Sequence, residues 1–357
     1  MRKIKLQFQK DVRSTMYGIE KNYNADKGEY KICLVISAKK ARINKPQILL
    51  FGMICVWNII TLLLYTNTMF EWDKEKHVFV NGLVYILLGF LLAALACKIL
   101  LSKRKKKVQI VINSTLMLTL AAIIFYNLKI TDLCIAAFTV FPFFFCCFVF
   151  SFRDMRRTGF IIAQLGMYIF AVIAYLSLSY INIFIVLFSG LFILTLALYK
   201  NVFDRKTYAL HYILLFFPVL ALTIALIILK GERILINFSP AFSEALHKIP
   251  QQEYLLSAYI FRYGYISAIV YMLVFIAIVI MCIKLIRETK GNMMYVMNRA
   301  ILFTLITQFT GSVIVNMGCP FLKGIPIPFL QVNRMLLINS FQIGIILFSK
   351  SVQDIDN

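Results

Sequence analysis

Residues 264–285 read GYISAIVYMLVFIAIVIMCIKL, and this stretch carries a single charged side chain, that of Lys284. A helix needs about 20 apolar residues to cross a hydrocarbon core of about 30 Å. The stretch is continuously apolar and lacks the alternating pattern of a membrane strand. It therefore predicts a membrane-spanning helix.

Similar runs recur along the chain, which is 61% hydrophobic and only 15% charged. The predicted spans are residues 47–66, 78–101, 108–127, 131–151, 159–178, 181–199, 208–229, 264–285, 297–317 and 332–349. The expected fold class is an all-α integral membrane protein with about ten transmembrane helices and little folded soluble mass.

The charged residues cluster in the loops between these runs, and alternate loops differ in charge. The basic segments are residues 1–46, SKRKKK at 102–107, FRDMRR at 152–157, KNVFDRK at 200–206 and IKLIRETK at 283–290. By the positive-inside rule these segments face the cytoplasm, so both termini are predicted to be inside. The net charge of +22 is then a topology signal and a source of contacts with anionic membrane lipids, and nucleic acid is not a predicted partner.

The predicted organisation has three parts: a basic cytoplasmic N-terminal segment at 1–46, a polytopic membrane domain at 47–350 and a cytoplasmic tail at 351–357. The main external loop of the membrane domain is residues 230–263. Within the N-terminal segment, KICLVIS is compatible with a strand or an interfacial helix, and a basic tail near anionic headgroups is the simplest interpretation of the segment.

Motifs of soluble enzymes are absent from the sequence: there is no GxxxxGK[ST], no GxGxxG after a strand, no HExxH and no GxSxG. The eight cysteines form no CxxC pair and the three histidines are far apart, so no metal site is predicted. Chemistry must then be sought in the loops and in the polar residues of the spans.

Three polar features are candidates. In the loop 230–263, a carboxylate near the hydrocarbon could act as a general base, and the lysine and arginine side chains could bind a diphosphate. The alternative is that these charges only keep the loop solvated. The proline-rich stretch 318–331 predicts an irregular backbone that either lines a cavity or joins two helices rigidly. Polar residues of the last two spans predict one interior surface, used for hydrogen bonds between helices or for a lipid path: Gln308, Thr310, Ser312, Asn316, Asn333, Arg334, Asn339 and Gln342.

The stretch GIPIPF at 324–329 resembles the GIPLPF segment that marks the SEDS family of FtsW, RodA and SpoVE. Three other segments resemble that family in the right order: ERILINFSP at 232–240, IPQQEYLLSAYIFRYGYI at 249–266 and NMG at 316–318. The resemblance covers residues 230–350 and is mainly one of topology before them. Its structural motif residues are Gly324, Pro326, Pro328 and Phe329.

The resemblance implies a glycosyltransferase of a bacterial cytoplasmic membrane that polymerises lipid II, or another polyprenyl-diphosphate glycan, into peptidoglycan. It implies a penicillin-binding-protein transpeptidase as partner, a possible divalent cation, and a role in division, elongation or sporulation. Glu253 matches the position of the family's essential carboxylate, an Asp in that family. Substrate contacts are implied for four residues: Arg233, Lys248, Gln331 and Arg334.

Three alternative functions stay open at this point. The first is a non-catalytic SEDS-like scaffold that binds lipid or a partner protein. The second is a transporter or flippase of a polyprenyl-linked glycan precursor, which needs a polar path through the bundle. The third is a glycan polymerase of the O-antigen or capsule type.

Overall fold

The structure, a computed structural model, describes residues 5–7, 17–24, 29–36, 45–68, 72–101, 106–126, 131–176, 180–204, 255–289, 291–316, 327–330 and 334–349, and the single positions 213, 216 and 220. The chain divides into two compact units, Met1–Ile48 and Leu49–Asn357. The second unit is helical in the ranges described, so the predicted class of all-α membrane protein is confirmed for it.

The N-terminal unit contains three strands, β1 (Lys5–Gln7), β2 (Tyr17–Asn24) and β3 (Glu29–Ile36). Their order in the sheet is β1-β3-β2, with β3 parallel to β1 and antiparallel to β2. The KICLVIS segment therefore contributes a strand, whereas the sequence was compatible with either a strand or a helix. Its β-branched residues favour a pleated strand. The prediction that this basic segment faces the cytoplasm stays a prediction.

The remaining elements are α-helices and one short 3-10 helix. They are α1 (Lys45–Thr68), α2 (Trp72–Leu101), α3 (Lys106–Tyr126), α4 (Thr131–Ser151), the 3-10 helix (Arg153–Met155), α5 (Arg156–Leu176), α6 (Tyr180–Tyr199), α7 (Leu255–Tyr263), α8 (Tyr265–Arg287), α9 (Asn292–Asn316) and α10 (Arg334–Phe348). Each predicted span except 208–229 falls on one of these helices; apart from positions 213, 216 and 220, that span lies outside the described residues.

Two predicted loops contain more helix than expected. Residues 72–77 were expected in an external loop but form the first turns of α2. Residues 255–263 were expected in the long external loop but form α7. Helices satisfy their own backbone groups, so they extend beyond the apolar runs that hydropathy detects.

Among the described residues, four helical segments are long and apolar enough to cross a membrane: Lys45–Leu64, Phe79–Lys98, Arg153–Ala174 and Tyr265–Arg287. Each presents large apolar side chains on its outer face, as Leu87 and Leu91 do on α2 and Ile269 and Leu273 do on α8. Exposed apolar faces of this extent require a lipid environment. The protein is therefore a helical membrane protein.

Helix α4 lies at the centre of the bundle and is apolar all round. Phe141, Phe145, Cys146 and Val149 are fully buried, and the helix contacts α3, α5, α6, α9 and α10. Phe141 stacks on Phe145 with their ring centroids 5.0 Å apart. A helix that is hydrophobic on every side is expected in a core position, and α4 occupies one.

Small residues allow α2 and α10 to approach closely. A Cβ atom built on Gly89 would lie 2.5 Å from the carbonyl oxygen of Leu337, and one built on Gly344 would lie 2.5 Å from the Cβ of Ala93. Close approach of backbones at small residues is a common way to pack membrane helices, where van der Waals contact drives association. This contact fixes the position of α10, which follows the segment 327–330.

Candidate functional site

The candidate site is built around residues 327–330, the described end of the proline-rich stretch. Ile327, Phe329 and Leu330 are buried, and Phe329 adopts a left-handed backbone conformation with φ of 61°. Such a conformation is uncommon for an aromatic residue, and burial of its ring holds it in place. The sequence predicted an irregular backbone here, and these residues confirm it.

Tyr271 of α8 anchors this segment. Its hydroxyl donates a hydrogen bond of 2.8 Å to the carbonyl oxygen of Pro328. Because the segment is not helical, its buried carbonyl needs a partner from elsewhere, and Tyr271 supplies one. The segment 327–330 and the helix α8 are thereby joined at a fixed point.

Aromatic rings surround Tyr271 and bring three helices together. The ring of Trp57 from α1 stacks on that of Tyr271 with centroids 6.1 Å apart. Phe309 of α9 lies 5.8 Å from Tyr271 and stacks on Phe275 at 4.0 Å. The indole N–H of Trp57 is buried and has no hydrogen-bond partner among the described residues. The cluster thus holds α1, α8 and α9 around residues 327–330.

A second polar contact joins α7 to the end of α9. The backbone N–H and the hydroxyl of Ser257 each donate to Oδ1 of Asn316 at 3.0 Å. The amide of Asn316 in turn donates to the carbonyl oxygen of Ser312 at 2.8 Å. All three residues are buried, so these bonds form away from water, where an unmade bond is costly.

Helix α1 contributes buried polar groups beside α7. The hydroxyl of Tyr259 lies 3.5 Å from the carbonyl oxygen of Thr61, and the Thr61 hydroxyl donates to the carbonyl oxygen of Asn58 at 2.9 Å. Asn58 is 0% exposed, and neither atom of its side-chain amide has a hydrogen-bond partner in the described ranges. A buried amide of this kind is the group most in need of a donor or acceptor.

The sequence predictions for this site have mixed outcomes. Pro328 and Phe329 lie in the buried segment, and Arg334 is the first residue of α10. The other predicted site residues lie outside the described residues: Arg233, Lys248, Glu253, Gly324, Pro326 and Gln331. Trp57, Asn58 and Tyr271 were not singled out, although an asparagine within the apolar run 47–66 was a usable signal.

Of the side chains predicted for one interior polar surface, five of the six that the structure describes are buried, while Asn333 and the side chain of Arg334 lie outside the described part. Gln308, Ser312 and Asn316 follow one another at helical spacing on the buried face of α9, and Asn339 and Gln342 are buried in α10. The amide of Gln342 donates to the carbonyl oxygen of Thr139 on α4 at 3.0 Å.

Thr310 was predicted on the same surface and is exposed instead, with its hydroxyl bonded to the carbonyl oxygen of Ile306 in its own helix. Two residues beyond Gln308, it lies on the opposite side of α9, since successive helical residues are rotated by about 100°. In the parts of the chain that the structure describes, no three His, Cys, Asp or Glu side chains cluster as a set of metal ligands would.

The fold and these contacts define a helical membrane protein whose irregular segment before α10 is built into the bundle. No protein-family model matches the chain, and no curated protein matches it in sequence.

Proposed function

We propose that this protein is a SEDS-like membrane protein of peptidoglycan synthesis that polymerises lipid II at the outer face of a bacterial cytoplasmic membrane. In this proposal ten helices cross the membrane with both termini inside. The observation that carries it is that segments identified independently by their resemblance to the family contact one another in the bundle.

One contact joins two matched segments directly, and a second joins a matched segment to the helix in which another one ends. Ser257 belongs to the segment 249–266 and bonds to Asn316, the first residue of the NMG segment. Tyr271, just after the segment 249–266, bonds to Pro328 within GIPIPF. Segments that share one functional region are expected to converge in space, and unrelated matches have no reason to do so.

The chemistry proposed for the chain uses residues of the external loop. Glu253, which precedes α7 in the sequence, takes the proton from the acceptor sugar hydroxyl. The freed oxygen attacks the anomeric carbon of the donor sugar, and the bond from that carbon to the diphosphate breaks. Arg233 and Lys248 neutralise the polyprenyl diphosphate that leaves, with Gln331 and Arg334 as further substrate contacts.

A non-catalytic SEDS-like scaffold is the second candidate. The contacts described above favour it, because they are hydrogen bonds and ring contacts that join helices and none of them involves a carboxylate. A transporter of charged precursors is less well supported, because the buried polar side chains of the described residues are all uncharged amides and hydroxyls.

The test is polymerisation of labelled lipid II by the purified full-length protein, with and without a candidate transpeptidase. Glu253→Gln should abolish polymer formation, whereas Glu244→Gln, in the same loop but outside the matched segment, should retain it. Both variants should bind lipid II.

Two other results would overturn the proposed activity. Binding of lipid II or a transpeptidase without polymer under any condition would indicate the scaffold. Movement of a labelled precursor across vesicle membranes without polymer would indicate a transporter.

A further inference from the structure

A pair of cations shares one aromatic ring at the opposite end of α9 from the candidate site. Nζ of Lys200 lies 4.0 Å from the centroid of the Tyr295 ring, and Cζ of Arg299 lies 3.9 Å from the same centroid. Tyr295 and Arg299 are one turn apart on α9, and Lys200 directly follows α6. All three side chains are partly exposed.

The packing of α6 against α9 explains why these residues meet. Phe192 of α6 stacks on Phe303 of α9 with ring centroids 4.5 Å apart. Lys200 follows Phe192 in the chain, and Tyr295 precedes Phe303 by the same number of residues. Antiparallel helices place both at the same end, roughly 12 Å from the stacked rings.

No carboxylate neutralises the pair in the described part of the chain. The ion pair found there joins Arg153 to Asp154, and neither Lys200 nor Arg299 has an acidic side chain within 4.0 Å. The two cations contact a common ring, so their separation cannot exceed the sum of the two distances, about one Debye length of ~8 Å at physiological salt. They therefore repel each other, and an anion that contacts both would relieve that repulsion.

The predicted topology places the pair where a lipid phosphate group could reach it. Lys200 opens the basic segment 200–206, and α9 begins just after the basic segment 283–290, so the pair lies on the side assigned to the cytoplasm. Arg299 is two turns into α9, at the level where a partly buried guanidinium needs an anionic partner. Arginine binds phosphate with two parallel N–H donors, and lysine adds a point charge.

We propose that Lys200 and Arg299, positioned against the ring of Tyr295, form a binding site for the phosphate group of an anionic phospholipid in the cytoplasmic leaflet. The site goes beyond the proposed function, because it lies at the other end of α9 and uses none of the residues assigned to polymerisation. The ligand is recognised through one phosphate that contacts both cations, and its acyl chains lie along the apolar outer faces of the bundle.

Native mass spectrometry of the full-length protein tests the site. The protein, in neutral detergent, is equilibrated with phosphatidylglycerol or with phosphatidylcholine, and the fraction that carries one lipid is measured. We expect Lys200→Gln/Arg299→Gln to lower the apparent affinity for phosphatidylglycerol roughly tenfold or more, with little change for phosphatidylcholine.

The matched control is Lys98→Gln/Arg157→Gln, which removes one exposed lysine and one exposed arginine at other positions. It should change the affinity by less than about twofold. Tyr295→Phe, which keeps the ring, should bind like the native protein, and Tyr295→Leu should bind more weakly. Thermal unfolding in neutral detergent without anionic lipid shows whether each variant is folded.

Inorganic phosphate, tested against chloride at equal ionic strength, identifies the source of the phosphate group. If inorganic phosphate fails to displace phosphatidylglycerol, the lipid is the ligand, as proposed. If it displaces the lipid completely in the native protein, the cations bind free phosphate and the lipid assignment is overturned. Equal affinity for phosphatidylglycerol in the native protein, the double variant and the control would overturn the site itself.

Discussion

The hydroxyl of Tyr271 lies 2.8 Å from the carbonyl oxygen of Pro328 and donates a hydrogen bond to it. This bond connects the N-terminal part of a long membrane helix to a segment that has no regular backbone pairing of its own. Helices satisfy their carbonyl groups internally, whereas a buried irregular segment depends on side chains of its neighbours. The geometry of residues 327–330 therefore depends on α8.

Replacing Tyr271 by Phe should destabilise the protein while leaving the aromatic cluster in place. The carbonyl oxygen of Pro328 loses its donor in a buried position, at a cost of about 1–3 kcal/mol. Thermal unfolding in a fixed detergent measures the change. Tyr265→Phe is the control, because Tyr265 is 74% exposed and its loss should leave the unfolding temperature nearly unchanged. Equal unfolding temperatures for the two variants would contradict the assignment of this bond.

Ser257 and Asn316 should behave as a coupled pair. A double-mutant cycle with Ser257→Ala and Asn316→Ala should give a coupling free energy of about 0.5–1.5 kcal/mol, because either substitution alone removes the shared side-chain hydrogen bond. The measurement is the free energy of unfolding of the four proteins. Ser257→Ala combined with Thr310→Ala is the reference pair and should be additive, since Thr310 bonds only within its own helix. Additivity in both cycles would mean that α7 is not joined to α9 as described.

Gly344→Ala should be strongly destabilising, because its new Cβ would meet the Cβ of Ala93 at 2.5 Å and force α2 and α10 apart. Overpacking of this kind costs about 1–3 kcal/mol. Gly52→Ala is the control: nothing lies within 4 Å of a Cβ at that position, and alanine is the better helix former. The yield of folded protein and its unfolding temperature distinguish the two.

A compensating change sharpens that prediction. Ala93→Gly removes the atom that the new Cβ would strike, so Gly344→Ala/Ala93→Gly should recover part of the lost stability. A double variant no more stable than Gly344→Ala would show that the close approach lies elsewhere.

Asn58→Leu should leave folding intact or improve it. Both polar atoms of the Asn58 amide are buried without a partner among the described residues, and removing such an unpaired group returns about 1–3 kcal/mol of desolvation cost. Thermal unfolding checks this, with Asn316→Leu as the control, because Asn316 makes several bonds and its loss should be destabilising. A large loss of stability in Asn58→Leu would show that its amide is paired in the protein.

The positions of the helices followed closely from the sequence. The run 264–285 was predicted as a span, and α8 covers Tyr265–Arg287. The agreement is close because a continuous apolar run of sufficient length is a local property that needs no knowledge of neighbours. The first turns of α2 and the whole of α7 were missed, since they carry polar residues and hydropathy does not detect helices outside the hydrocarbon.

The candidate site was predictable only in part. GIPIPF identified the segment of Pro328 and Phe329, and proline and glycine predicted its irregular backbone. Tyr271 gave no comparable signal, because a tyrosine in an apolar run is usual in membrane helices. Glu253 and its neighbouring cations remain predictions.

The sequence by itself determined that this is a helical membrane protein, where its helices lie and which of their ends carry the positive charge, because hydrophobicity, length and charge act locally along the chain. Only the tertiary structure decided that Ser257 meets Asn316, that Tyr271 holds Pro328, and that Lys200 and Arg299 share one ring. These pairings depend on how the helices pack. Packing is set by shape complementarity between distant segments, and a linear pattern of residues does not contain it.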